Sequence, residues 1–301
     1  METALELSGI TKRFGSHVAV NNLSLAIPKG SIYGFLGPNG AGKTTTIRMI
    51  MSILYPDEGQ IQILGHANSE EIKDRLGYLP EEKGLYKKMK TADIVAYFGT
   101  LKGLPLREAR KRAKELLVQY GLGDWVNRKC EALSKGMGQK VQILSTLIHN
   151  PELVILDEPF SGLDPVNVEV MRNLILSMKR DGRTVIFSTH VMEQAEQICD
   201  YIFLIHKGNK ILDGPLSEIK AGGLHGIQID YDGDGQVIRD FPGVDRINDA
   251  GKSAEVYLKD SANPQDLLQY LCGRLQIRRF DLREPSLHEI FVRAVGGTSD
   301  E

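Results

Sequence analysis

Gly37-Pro38-Asn39-Gly40-Ala41-Gly42-Lys43-Thr44 lies between a short apolar run that begins at Ser31 and a segment whose periodicity turns helical near Lys43. Strand, glycine-rich turn and helix in that order open an α/β unit. The eight residues satisfy the spacing G-x-x-x-x-G-K-[ST], which a chain of this length meets by chance about once in a hundred. The residue types have a physical reason. Glycines let the backbone bend tightly and bring its N–H groups against anionic oxygens, and the helix N-terminus adds a partial positive charge. Gly37 to Gly42 therefore read as an anion cradle for a nucleoside triphosphate. Lys43 is placed to reach its β- and γ-phosphates, the Thr44 hydroxyl to ligate Mg²⁺, and Thr45 to add a further phosphate contact.

Upstream, Leu5 to Phe14 and Val18 to Ile27 interleave apolar and polar residues before Pro28-Lys29-Gly30, which predicts two strands and a turn. Downstream, Leu153-Val154-Ile155-Leu156 is a buried-strand pattern that ends in Asp157-Glu158. Strand side chains alternate, so only a change of backbone direction after the strand lets Asp157 face a metal ion while Glu158 faces a water beside the γ-phosphate.

The whole chain of 301 residues has a net charge of −2 and is 42% hydrophobic and 25% charged. That mixture is globular, suggests two domains, and gives no general drive toward nucleic acid. No apolar run approaches the roughly 18 residues of a membrane span, and Met1 to Ile10 does not look like a signal peptide, so a cytoplasmic location is expected. Cys130, Cys199 and Cys272 are too far apart for a zinc site and odd in number for disulfides, and read as buried apolar fillers. Residues 1–221 carry 28 Lys+Arg against 25 Asp+Glu, and residues 222–301 carry 9 against 14. That shift, at Gly222-Gly223, predicts domains of 1–221 and 222–301.

Taken in order, these motifs resemble the ATP-binding cassette (ABC) ATPases over about residues 5 to 221. Lys43 and Asp157-Glu158 match the two Walker motifs. Ser161-Gly162-Leu163-Asp164 matches the D-loop, and His190, after a strand at Thr184 to Ser188, the switch histidine. The resemblance implies an α/β P-loop NTPase fold: a mixed sheet core, an antiparallel β subdomain and a helical subdomain at about 84–150. It also implies ATP and Mg²⁺ as ligands, Glu158 polarising the attacking water, and His190 holding the γ-phosphate. Phe14, followed by Gly15, matches the aromatic that stacks on adenine; its alternative is a core residue.

Two motifs depart from the family pattern. Glu131-Ala132-Leu133-Ser134-Lys135-Gly136-Met137 stands where the family reads Leu-Ser-Gly-Gly-Gln. Ser134 is a good N-cap for a helix running to about Asn150, and the resemblance adds a trans contact: Ser134, Gly136 and Asp164 of one chain meeting the ATP held by another. At Tyr78-Leu79-Pro80-Glu81, the acid Glu81 replaces the Q-loop glutamine as catalytic residue and metal ligand. The helical subdomain carries a basic run, Arg107 to Lys114, that reads as a solvated helix face. Lys83 to Lys90 is a candidate docking edge for a helix of a membrane subunit.

Past residue 222, Asp230-Tyr231-Asp232-Gly233-Asp234-Gly235 imitates half of a calcium loop, but Phe241 stands where its glutamate belongs. A turn between strands at Gly226 to Ile229 and Val237-Ile238 is expected instead. Further strands at Ala254 to Leu258 and Leu275 to Leu282, with helices at Pro264 to Leu271 and Ser286 to Ala294, predict a small α+β domain. It resembles the accessory domain of ABC-2-type sodium and drug exporters. The resemblance as a whole implies the ATP-hydrolysing subunit of an exporter, on the inner face of the membrane against a separate permease. It would work as a homodimer or paired with a second ATP-binding subunit. A soluble ABC ATPase acting in DNA repair or on ribosomes is the alternative, disfavoured by one phosphate loop and the lack of a long insertion. A small-molecule P-loop kinase leaves Ser134 to Met137 and His190 unexplained.

Overall fold

The computed structural model describes residues 2–67, 69–81, 84–222, 226–259 and 262–296. Lys83 of the docking edge and Gly223 of the composition boundary lie outside the described residues. The chain divides into two compact units, at Leu216/Ser217.

The first unit opens with β1 (Thr3–Phe14) and β2 (His17–Pro28), paired antiparallel. Their alternation puts Leu5, Leu7, Val20, Leu23, Leu25 and Ile27 into the core and polar residues outward. After β3 (Ile32–Leu36) and α1 (Lys43–Ile50), β4 (Glu58–Ile63) joins the other edge of β1, giving a three-stranded antiparallel sheet in the order β2-β1-β4. The chain continues through β5 (Leu76–Leu79), α2 (Thr91–Leu101), α3 (Leu106–Gln119), α4 (Lys135–Leu147), β6 (Leu153–Asp157) and α5 (Pro165–Arg180). It then runs through β7 (Thr184–Thr189), α6 (Met192–Glu196), β8 (Tyr201–His206) and β9 (Asn209–Pro215). The main sheet has the order β5-β6-β7-β3-β8-β9. It is parallel from β5 to β8, with β9 antiparallel at its edge. Every residue of β3, β6 and β7 is buried, which is why these strands read as continuous apolar runs. The expected fold class, a mixed sheet with an antiparallel β layer and a helical segment, is the one observed.

The second unit, entered through α7 (Leu216–Ala221), contains β10 (Gly226–Asp232), α8 (Gln236–Arg239), β11 (Val244–Asp249) and β12 (Ser253–Leu258). It ends with α9 (Pro264–Leu271), β13 (Gln276–Arg283) and α10 (Leu287–Gly296). Its sheet has the order β11-β12-β10-β13, with every pair antiparallel. From β10 to β13 this is the ferredoxin-like β-α-β-β-α-β arrangement. Val237-Ile238, expected as a strand, belongs to α8. The next strand, β11, lies parallel to β10 with β12 between them, so a crossover is needed and a hairpin cannot provide it. Asp234 starts that turn by accepting the Gln236 N–H at 2.9 Å, and Ile238 is driven into the core. Cys130 and Cys199 are buried as expected, whereas Cys272 is exposed at the end of α9.

Candidate functional site

The loop between β3 and α1 follows the carboxyl end of the buried sheet. Two of its glycines are required by space. A Cβ on Gly37 would lie 2.2 Å from the Ile205 carbonyl oxygen, and one on Gly42, at φ 110°, would lie 2.6 Å from that of Ala19. Gly42 is the residue before α1 and offers no side-chain cap, so the first N–H groups of the helix stay available to an anion.

Lys43 is 6% exposed. Its ammonium donates to the carbonyls of Gly37 at 2.7 Å and Pro38 at 3.2 Å, and stands 3.6 Å from Glu158 Oε1. At the end of β6 the backbone turns: Glu158 takes φ 49°, the change of direction that the Asp157-Glu158 pair demands. Asp157 is fully buried, and the Thr44 hydroxyl lies 3.4 Å from its Oδ1. Ser188 anchors both acids, donating its hydroxyl to Asp157 Oδ1 and accepting the Glu158 N–H at 2.9 Å. His190 Nδ1 stands 3.1 and 3.2 Å from the two oxygens of Glu158. Beside Asp157, the Tyr78 hydroxyl is pushed up to about 12, mainly by burial and next by the Asp157 charge.

A cavity of about 420 Å³ opens over the phosphate loop and Glu158. It is lined by Asn39 to Thr45 of the phosphate loop, by Phe14, His17 and Ala19, and by Glu81 and Glu158. Phe14 is 49% exposed, so it is a surface ring at this cavity and not a core residue. The residues fit a divalent ion: Asp157 Oδ2 is buried without a hydrogen-bond partner among the described residues, on a carboxylate whose other oxygen lies 3.4 Å from the Thr44 hydroxyl of the phosphate loop.

Ser134, Gly136 and Asp164 do not line this cavity. Ser134 caps α4, accepting the Met137 N–H at 3.3 Å, and Asp164 caps α5, accepting the Asn167 N–H at 3.0 Å. That bond and the Asn167 side-chain amide hold the Asp164 carboxyl below its usual range. The two caps pack together: a Cβ on Gly136 would lie 2.2 Å from Asn167 Oδ1, and the Lys135 ammonium covers Gly162 of the D-loop. Ser188 was not singled out by the sequence. Its only signal is its position opposite Asp157 in the register of β6 and β7.

A glycine cradle, a buried lysine and a buried acid at the carboxyl edge of a parallel sheet define a P-loop nucleotide-binding protein. The ABC transporter family profile matches residues 20–161, and that of the "ATP-binding protein DrrA1-3-like, C-terminal domain" matches residues 214–295. The ABC transporter ATP-binding protein YhaQ of Bacillus subtilis (strain 168) is 42% identical over 97% of this chain and 98% of its own. The bacitracin transport ATP-binding protein BcrA of Bacillus licheniformis is 30% identical over 99% of each chain. A solved ATP-binding subunit of an ABC transporter superposes with a TM-score of 0.65 at 29% identity, covering 73% of this chain and 92% of that one. The chain belongs to the ABC transporter ATP-binding subunits. None of its described helices is long and apolar enough to cross a membrane.

Proposed function

We propose that the chain binds Mg-ATP in the phosphate-loop cavity, hydrolyses it, and uses the cycle to drive export through a separate membrane-embedded permease, which holds it at the inner face of the membrane. The reading rests on one observation above all: Lys43, Asp157, Glu158 and His190 meet at a single cradle. Bound Mg²⁺ would neutralise charge between the β- and γ-phosphates, with Thr44, Asp157 and Glu81 as its protein ligands. Lys43 leaves Glu158 for the phosphates, which frees the Glu158 carboxylate to take a proton from a water aimed at the γ-phosphorus. His190, already within reach of Glu158, orients that carboxylate and meets the γ-phosphate. Phe14 stacks on the adenine from the mouth of the cavity.

Ser134, Gly136 and Asp164 serve the nucleotide of a second ATP-binding chain, another copy or a homologous subunit, in a head-to-tail pair. Export as the direction of transport is supported by the DrrA-like second unit and by relatives such as the bacitracin transport protein. The permease docks on a groove of about 280 Å³ lined by Tyr78, Leu79, Phe98, Leu101 and His149. Tyr86, Tyr97 and Leu101 stand exposed around it, an apolar patch of the kind that marks a partner surface. Calorimetry of the purified chain tests the reading. One Mg-ATP per chain, lost in Lys43→Ala, is expected, and no uptake at millimolar ATP would end it.

A further inference from the structure

The second unit carries a cavity that the ATPase reading does not use. Ile238 of α8 and Leu267 and Leu271 of α9 pack with Ile227, Ile229, Ala254 and Val256 on one face of the sheet. On the opposite face β11 and β12 present Arg246, Asn248, Glu255 and Tyr257, and α10 lies across them. That helix is fixed at its start. Leu287 is buried, Glu289 Oε2 accepts the Ser286 N–H at 2.7 Å and the Ser286 hydroxyl at 2.8 Å, and Glu289 Oε1 accepts the Tyr257 hydroxyl at 3.2 Å. Between helix and sheet is a space of about 590 Å³, within the range of small-molecule sites.

The charges around it are unevenly committed. Glu289 is saturated by the helix cap and Tyr257, and Glu255 accepts from Asn248 Nδ2 at 3.3 Å. Burial, with Glu255 alongside, keeps the Tyr257 hydroxyl protonated, pushed up to about 12, so it remains a donor to these acids. The cations are not consumed in this way. The Arg246 guanidinium lies 4.3 Å from the centre of the Tyr257 ring, and Arg293 and His288 project from α10 into the same cavity. Among the described residues, neither Arg246 nor Arg293 is paired with a carboxylate. The helix also lines the space with the aliphatic side chains of Ile290, Val292 and Ala294, and Val292 is 52% exposed. Guanidinium forks beside an aliphatic wall suit a molecule with a charged oxyanion at one end and an apolar body at the other.

We propose that this cavity binds an amphipathic organic anion, its carboxylate or phosphate head held by Arg246 and Arg293 and its body laid over Ile290, Val292 and Ala294. The test is calorimetry on the full chain with four probes: dodecanoate, dodecyl phosphate, dodecanol and inorganic phosphate. One site per chain is expected for at least one of the two charged amphiphiles. The neutral alcohol and the bare ion should bind at least about tenfold more weakly, because each lacks one half of the recognition. Preference between dodecanoate and dodecyl phosphate then separates a carboxylate ligand from a phosphate ester. Arg246→Gln with Arg293→Gln should weaken the favoured probe about tenfold or more and leave Mg-ATP binding unchanged. If the double variant fails to fold by circular dichroism, Arg293→Gln alone and the salt dependence of the wild-type chain answer instead, since a head held by two arginines is released as salt rises. Equal affinity for dodecanoate, dodecyl phosphate and dodecanol, or affinity untouched by arginine removal and by salt, would overturn the proposal.

Discussion

Lys43 is 6% exposed and touches two carbonyls and a carboxylate, whereas Ser134 stands exposed with its side chain hydrogen-bonded to its own helix. Both are assigned to the same chemistry, the handling of a γ-phosphate. The difference lies in what supports them. The phosphate loop is pressed onto buried parallel strands that fix Asp157, Ser188 and Glu158 in one arrangement. The Ser134 loop is a helix start held by a cap and by contact with another helix start. One half-site is complete within the chain. The other presents Ser134 on an exposed helix start outside the phosphate-loop cavity, and its proposed use is on another chain's nucleotide.

Glu158→Gln breaks this comparison most sharply. It removes the proposed base, so turnover should fall about a thousandfold in a phosphate-release assay. The same change frees Lys43 from its buried ion pair, so Mg-ATP should bind at least as tightly as in the wild type. With hydrolysis blocked, light scattering should show paired chains in Mg-ATP and single chains without it. Rapid turnover would remove Glu158 from its role, and a lasting monomer would remove Ser134 from its own.

Ser188→Ala tests the support, not the chemistry. The hydroxyl joins residues 31 apart in sequence, and without it the buried Glu158 N–H loses its acceptor and Asp157 one of its two hydroxyl donors. An unsatisfied buried group costs on the order of 1–3 kcal/mol. A kcat reduced about tenfold or more, with KM nearly unchanged, is expected if Ser188 positions the two acids. Loss of melting temperature alone would make it a structural residue.

What the sequence could and could not reveal follows the same division. The phosphate loop is legible because its glycines are demanded by backbone atoms a fixed distance away, and β6 and β7 because both faces of each are buried. Ser188 is silent because a serine that ends an apolar strand means nothing until that strand's neighbour is known. Val237-Ile238 misleads for a related reason. Two β-branched residues are too short a run to show a period, and only the order of strands in the second unit turns them into a helix. Cys272 is apolar enough to be expected inside, yet it closes α9 on its exposed side.

Glu81 sharpens the comparison from the metal's side. It lines the phosphate-loop cavity together with Glu158, so two acids border a cradle whose lysine already stands 3.6 Å from one of them. An added carboxylate repels a bare triphosphate and attracts its magnesium complex. Wild-type affinity for ATP should therefore fall on chelation of Mg²⁺ by about tenfold more than that of Glu81→Gln, with the gap shrinking as salt is raised. Equal chelation effects in the two proteins would mean that Glu81 points away from the nucleotide. Complete loss of ATP binding in the variant would instead make the acid indispensable.

The smallest effect belongs to Phe14, at the outer rim, where the buried half-site meets solvent. Its ring is 49% exposed, and the Lys12 ammonium lies 5.8 Å from its centre, so part of any stacking surface is already occupied or wet. Base stacking on an aromatic side chain is worth about 1–3 kcal/mol, and an exposed ring belongs at the lower end. Phe14→Ala should therefore raise the KM for ATP about fivefold and leave kcat within about twofold, because the adenine is held far from the γ-phosphate. The melting temperature should hardly change, since little apolar area is buried there. A lower melting temperature with an unchanged KM would make Phe14 a packing residue and leave the adenine to be held by His17 and the β2 edge alone.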